Sequence, residues 1–342
     1  MYGEWVDVGI VGAPGYTGAE LLRMLNEHPS LKVTVATADS HAGHRAAELY
    51  PSLAAAYPDL VYSATDVERL DGLDLVFLAM PHGQSQTLVP ELIGRVGHLV
   101  DLAADFRLRD AALYPTWYGA EHQAPELLER FVFGIPELFR PELIGAPLVA
   151  AAGCYVTAAS LALAPFVRAG AVETTGIIVD AASGTSGSGR GLRDSMHFAH
   201  VDGDFSAYGL LDHRHTPEIE QAIGAQVLFT PHLAPMTRGI LATCYARPVG
   251  ISSTDEAVGL LRAAYDAEPF LVVTEASPGT KATFGSNCAH VTARVDPRTG
   301  WLVVLCALDN LVKGASGQAL QCANLALGLP EAAGLPMAAV YP

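Results

Sequence analysis

The chain has 342 residues, 50% of them hydrophobic and 16% charged, enough apolar material for two cores and too little charge for a disordered polyampholyte. Lys and Arg number 20 against 36 Asp and Glu, a formal charge of −16, which excludes a sequence-independent nucleic-acid binder and an anionic-membrane binder. Five cysteines (Cys154, Cys244, Cys288, Cys306, Cys322) without CxxC spacing read as free thiols of a reducing cytoplasm, not a disulfide framework or zinc ribbon. Glu4 and Asp7 stand where an export signal would carry a basic region. The expected location is therefore cytoplasmic.

Along the first 150 residues, apolar strands alternate with helical runs. Val6–Val11 reads as a strand, Ala19–Glu27 as a helix with Leu21, Leu22 and Leu25 at helical spacing, and Leu31–Val35 as a second strand. Leu73–Met80 and His98–Ala103 follow as further strands. Continuous apolar strands separated by helices predict a doubly wound parallel sheet, the α/β Rossmann-type class. Leu148–Val167 is the one uncharged run of membrane length. Gly153-Cys154 interrupts it and alanine dominates it, so strand, tight turn and helix is the expected reading rather than a membrane span. After residue 150, strands at Gly176–Ala182, Gly239–Ala246, His290–Val295 and Trp301–Leu308 come with longer connections, predicting a second α+β domain over 151–310. A helix is expected over Gly314–Gly328, with Leu320, Ala323, Asn324 and Leu327 on one face.

Directly after the first strand comes Gly12-Ala13-Pro14-Gly15-Tyr16-Thr17-Gly18-Ala19-Glu20. Glycines in this strand–helix context let a backbone approach a pyrophosphate at a helix N-terminus, and Thr17 with Glu20 matches a capping box. Cofactor choice is read near the end of the second strand. There Asp39 suits the free ribose of NAD, whereas Ser40, His41, His44 and Arg45 suit the 2′-phosphate of NADP. The residues alone leave both open.

Ala152-Gly153-Cys154-Tyr155 puts a thiol at a strand–helix junction, where the helix dipole lowers its pKa. Cys244 and Cys306 lie in apolar strands and Cys322 in a helix, as inert core thiols do. A nucleophilic cysteine combined with a nicotinamide cofactor implies acyl transfer to sulfur and hydride reduction of the thioester. Histidine is the expected acid/base, and His213-Arg214-His215-Thr216-Pro217 offers two. Thr216 is expected as N-cap and Pro217 as first residue of the following helix. Metal binding by His213 with His215, or His197 with His200, lacks the Cys or carboxylate spacing to complete a site, so no metal is expected. Arg107, Arg190 at the end of the Gly184–Gly189 loop, and Arg238 are the arginines suited to a phosphate.

Together these motifs resemble the N-acetyl-gamma-glutamyl-phosphate reductase family, relatives of aspartate-semialdehyde dehydrogenase. Gly12–Leu21, Phe77–Gly83, Ala152–Tyr155, Ser183–Arg190, His213–His215, His232–Ile240 and Asp309–Ala315 carry the likeness, in order over nearly the whole chain. The resemblance implies NADPH-dependent reduction of N-acetyl-L-glutamyl 5-phosphate to the 5-semialdehyde, a step of arginine biosynthesis. It implies Cys154 as the thioester nucleophile and His215 as acid/base. Gly12, Gly15, Tyr16, Thr17, Gly18, Ser40, Arg45, Ser186, Gly187, Asn310 and Gly314 would serve the cofactor. Arg107, Arg190, His213 and Arg238 would serve the substrate. It further implies that the last segment, 311–342, returns as a helix to a nucleotide domain spanning 1–150, and that the enzyme is a homo-oligomer, dimer or tetramer. Val156 stands where the family commonly has proline, and Ala38-Asp39-Ser40-His41 where many members have Ser-Arg.

Four other readings compete, one of them a thiol hydrolase, which would leave the dinucleotide loop unexplained. A lysine-pathway reductase would act on an aminoadipyl group borne by an acidic carrier, which a chain of charge −16 would repel. Aspartate-semialdehyde dehydrogenase fits the His213–His215 and His232–Ile240 motifs less well. A non-catalytic Rossmann nucleotide sensor would need neither the thiol nor the histidine pair.

Overall fold

The computed structural model describes residues 5–341; Glu4 and Pro342 lie outside them. The chain forms two compact units, residues 5–152 with Ala315–Leu335, and Gly153–Gly314 with residues 336–341. Of the segment 311–342 expected in the first unit, residues 315–335 join it, while 311–314 and 336–341 group with the second.

The first unit is built on β1 (Val6–Val11), β2 (Leu31–Thr37), β3 (Leu75–Leu78), β4 (His98–Asp101), β5 (Val132–Gly134) and β6 (Leu148–Ala151). They form one sheet of order β2-β1-β3-β4-β6-β5, with every ladder parallel. This is the Rossmann-type arrangement that the apolar runs predict, and β3 and β6 are buried at every position, as strands covered on both faces must be. Helices α1 (Tyr16–Leu25), α2 (Ser85–Leu92) and α3 (Pro136–Leu143) belong to this unit. Its last helix, Gly317–Ala326, follows a π-helical turn at Val312–Ser316 and is buried on every side. The single apolar face expected for it is therefore too narrow, and the helix ends at Ala326 instead of running through the terminal segment. Among the described residues no helix is long and apolar enough to cross a membrane.

The second unit carries β7 (Ile177–Ser183), β8 (Ser206–Ala207), β9 (Val227–Leu233), β10 (Ile240–Ala246), β11 (Leu271–Val273), β12 (Ala289–Val295) and β13 (Leu302–Leu308). Their order is β11-β12-β13-β10-β7-β9-β8; β10 runs antiparallel to both β7 and β13, while β7 and β9 are parallel. Helices α4 (Cys154–Arg168) and α6 (Thr254–Tyr265) pack on this sheet, and α5 (His215–Ile223) packs on α4. Twelve successive positions of α4, Tyr155–Phe166, are buried, which explains the uncharged run as a core helix.

Candidate active site

Cys154 is the first residue of α4, after an N-cap glycine that makes no side-chain cap. Its sulfur is half-buried where the positive end of the helix dipole stabilises negative charge. The other four cysteines are buried, and burial pushes the Cys244 and Cys288 thiols up. Gly153 is indispensable here for space, since its φ of −67° and ψ of 154° suit any residue. A Cβ at this position would lie 2.4 Å from His215 Nε2. The imidazole therefore rests directly on the residue before the thiol. Gly314 closes in as well: a Cβ there would lie 2.8 Å from Cys154 Cβ.

His215 opens α5, so the helix begins two residues earlier than Thr216 and Pro217 suggest. The reason is a substitute cap: His213 Nδ1 accepts from the His215 N–H at 3.1 Å, and the His213 carbonyl accepts from Thr216 N–H at 2.9 Å. Pro217 then falls within the first turn, where its missing N–H costs nothing. Burial, with the Arg214 charge second, lowers His213 to about 4. His213 is thus a neutral ring with its hydrogen on Nε2. Tyr155, Tyr208 and Phe229 pack edge-on around the two histidines. Tyr208 donates to the Tyr155 hydroxyl, which donates to the His232 carbonyl. Burial raises both phenols, Tyr208 to about 12, so both stay neutral.

The Gly184–Gly189 loop is pinned around a 3-10 turn: Thr185 and Ser186 N–H donate to the Met236 and Thr237 carbonyls. The Asn310 amide donates to Ser186 Oγ at 3.0 Å and accepts from Gly239 N–H at 2.7 Å, and Gly187 lies close by. Asp309, fully buried, accepts from Leu311, Val312 and Gly285 N–H groups. Arg238 Nη1 stands 3.5 Å from its carboxylate, which commits much of that guanidinium within the unit. Arg190 is exposed. Thus Cys154, His213, His215 and Gly314 come together, and Ser186, Gly187, Arg238 and Asn310 form a second linked group.

In the first unit, β1 leads into Gly12 at φ 80°, where a Cβ would lie 2.7 Å from the Ala79 carbonyl oxygen. A turn that only glycine fits, followed by a glycine N-cap without a side-chain cap, is the cradle a pyrophosphate needs. The capping box read from Thr17 and Glu20 does not form. The N-cap is Gly15, two residues before Thr17, and Glu20 is buried against Arg23. The Thr17 carbonyl instead accepts from Ser316 Oγ at 2.8 Å. Gly18 packs on Ala13, whose backbone a Cβ would strike. Beyond β2, Asp39 Oδ1 accepts from Thr65 N–H at 2.9 Å, while Ser40 and Arg45 are exposed. Arg107, nearly buried, donates from Nη2 to the Leu102 carbonyl at 2.8 Å. Among the described residues no group of three or more His, Cys, Asp or Glu side chains could hold a metal.

Comparison with known proteins decides the family. Residues 7–146 match the semialdehyde dehydrogenase NAD binding domain, and residues 154–310 match the semialdehyde dehydrogenase dimerisation domain. An N-acetyl-gamma-glutamyl-phosphate reductase of Symbiobacterium thermophilum is 49% identical, covering 98% of this chain and 99% of the relative. That of Desulforudis audaxviator is 47% identical over 98% of this chain and all of the relative. This chain belongs to the N-acetyl-gamma-glutamyl-phosphate reductase family. The reductase is therefore an oxidoreductase that uses a nicotinamide cofactor, and a non-catalytic sensor is excluded. Its fold also matches aspartate semialdehyde dehydrogenase II of Vibrio cholerae, with TM-score 0.71 at 15% identity over 95% of this chain and 99% of the other. The Candida albicans enzyme, solved with NADP, matches with TM-score 0.69 at 14% identity over 94% of this chain and 98% of the other.

One residue beside the thiol escapes a motif-based reading of this reductase. Glu218 is fully buried one turn after His215 on α5, and its Oε2 accepts from Gly153 N–H at 3.3 Å. The signal was the i, i+3 spacing of histidine and glutamate, which puts both on one helix face.

Proposed function

We propose that this enzyme reduces N-acetyl-L-glutamyl 5-phosphate to the 5-semialdehyde with NADPH, releasing phosphate. The observation that carries the proposal is the Cys154 thiol at a helix N-terminus with the His215 imidazole against its neighbour Gly153. In this reading His215 takes the thiol proton, and the Cys154 thiolate attacks the acyl carbon. The carbon–oxygen bond to phosphate breaks as the imidazolium returns its proton to the leaving phosphate, and a thioester remains. A nicotinamide cofactor, when bound, would supply the hydride for this carbonyl. Collapse of the resulting tetrahedral alkoxide expels the Cys154 thiolate and frees the aldehyde. One proton from solvent then restores the thiol, so the turnover consumes one hydride and one proton.

Gly12, Gly15, Tyr16, Thr17 and Gly18 hold the pyrophosphate in this reading. NADPH is preferred because the Asp39 carboxylate, the group that would read an unphosphorylated ribose, already holds Thr65 N–H, while Ser40 and Arg45 stand exposed beside it. Arg107 binds the leaving phosphate. His213 donates from Nε2 to the substrate, since its neutral ring brings no charge. The match to a dimerisation domain supports a homo-oligomer. The test is the reverse reaction. N-acetylglutamate semialdehyde with phosphate should reduce NADP⁺ faster than NAD⁺, and aspartate semialdehyde should be a poor substitute. Equal or faster turnover of aspartate semialdehyde sinks the substrate assignment, and preference for NAD⁺ sinks the cofactor assignment.

A further inference from the structure

Asp101, the last residue of β4, is fully buried. Its Oδ1 accepts from Ala103 N–H at 2.9 Å, and its Oδ2 lies 3.0 Å from Ser85 Oγ. Ser85, equally buried at the start of α2, is also 2.9 Å from Asp105 Oδ2. Asp105 in turn accepts from Gly83 N–H at 2.6 Å and Gln86 N–H at 3.2 Å. Its own carbonyl accepts from the Tyr114 hydroxyl at 2.6 Å and from His122 Nε2 at 2.8 Å. Next to it, Phe106 stacks on Phe131 with ring centroids 4.1 Å apart. Two segments at the carboxyl edge of the sheet, 83–86 and 101–107, are thereby joined through one serine and two acids.

A hydrogen count shows what this junction needs. Ser85 Oγ carries one hydrogen and has two carboxyl oxygens at hydrogen-bond distance. With both acids ionised, one of those contacts would be two acceptors facing each other without a proton. The second hydrogen must sit on a carboxyl group. Asp105 has two backbone N–H donors to balance its negative charge and Asp101 has one, so the proton belongs on Asp101. Burial, then the Asp105 charge, raises Asp101 to about 7, in the same direction. Asp105 and Arg107 are the charged groups acting on it. The neighbouring strands β3 and β6 and the last helix bring no acid or base except the Cys322 thiol, and Glu91 of α2 is exposed.

We propose that protonated Asp101 is a positioning residue for the phosphate-binding arm: it donates to Ser85, which donates to Asp105, and so fixes the segment that presents Arg107. This rests on the reading of Arg107 as a phosphate ligand. Removal of the Asp101 proton sets two carboxylates against one hydroxyl, releases the tie between the two segments, and weakens phosphate binding without touching the thiol chemistry.

The experiment measures the KM for inorganic phosphate in the reverse reaction from about pH 6 to about pH 9, for wild type, Asp101→Asn and Arg107→Lys. Asparagine keeps an N–H donor toward Ser85 and does not titrate, and the ionisation of phosphate itself cancels in the ratio of wild type to variant. That ratio should stay near one at low pH and climb by up to about tenfold per pH unit above about pH 7, with kcat unchanged. A ratio flat across the range overturns the proposal. Should Asp101→Asn fail to fold, ¹³C NMR of aspartate-labelled wild type serves instead: one carboxyl titrating near neutrality supports the proposal, and full ionisation of every aspartate below about pH 5 refutes it. If Arg107→Lys leaves the phosphate KM unchanged at every pH, the reading of Arg107 fails, and the wild type to Asp101→Asn ratio still reports on the proton.

Discussion

Gly153→Ala is the sharpest probe of the thiol–imidazole arrangement. Alanine fits the backbone at φ −67° and ψ 154°, so strain in the chain is not at issue. The added methyl would lie 2.4 Å from His215 Nε2, 2.7 Å from Cε1 and 2.9 Å from Cδ2. Ordinary contact requires the ring to retreat by roughly 1 Å. It has little room, because His213 packs against it with centroids 4.7 Å apart and Tyr155 at 5.9 Å. A displacement of about 1 Å in a reacting group costs on the order of 10²-fold in rate, so kcat for the reverse reaction should fall by about that factor. Stability should fall by about 1–3 kcal/mol, the usual cost of overpacking, because the ring must be pushed against its neighbours. The companion measurement is a double-mutant cycle with His215→Asn, whose shorter side chain vacates the contested space. In that background Gly153→Ala should cost almost nothing further. Full turnover of the single variant, with an intact fold, would refute the placement of the imidazole as the acid/base.

Other expectations are as direct. Cys154→Ser should abolish turnover while NADPH titration by fluorescence stays as in wild type; residual turnover above about one part in 10³ would remove the thioester. Gly12→Ala should raise the KM for NADPH at least tenfold (about 1.4 kcal/mol), because the Cβ meets the Ala79 carbonyl and the φ of 80° disfavours it. His213 is held below its usual range, so the folded protein resists a proton that the unfolded chain accepts. Its contribution to stability is present above about pH 6.5 and is lost as pH falls through about 4. Urea unfolding should therefore show a loss of up to about 3 kcal/mol across that window, reduced in His213→Asn, which retains a cap acceptor. Equal pH dependence in the two proteins would assign the loss elsewhere.

The parts of this fold legible in the sequence are those in which one physical demand dominates. β3 and β6 must be apolar throughout because both faces are covered, and β1 followed by Gly12 announces a turn that tolerates no side chain. The strands that the sequence pattern does not announce carry conflicting signals. β9 contains Pro231 and His232 in mid-strand and is bordered by β8 of only two residues, and β5 and β11 have three residues each. Both unexpected helix starts have a single cause. At both Thr17 and Thr216 a hydroxyl suggested the cap, yet α1 is capped by glycine alone and α5 by a histidine ring two residues upstream, an acceptor that capping statistics do not feature. Glu218 and Asp101 escaped because a carboxylate in sequence reads as surface until its neighbours are known; both prove to be fully buried.

Helices α1 and α4 share an economy at their first turns: each opens on a glycine that offers its amides no side-chain partner. On the proposed reading each of these helix ends receives a negative group, a pyrophosphate at one and the Cys154 thiolate at the other. The ordering of these turns is then tied to occupancy, and their amide hydrogens should exchange with solvent on a clock set by the catalytic cycle. Saturating nucleotide should slow exchange at residues 16–18, and acylation of Cys154 should slow it at residues 154–156. The two ends would report separately on the same turnover, one for the cofactor and one for the covalent intermediate.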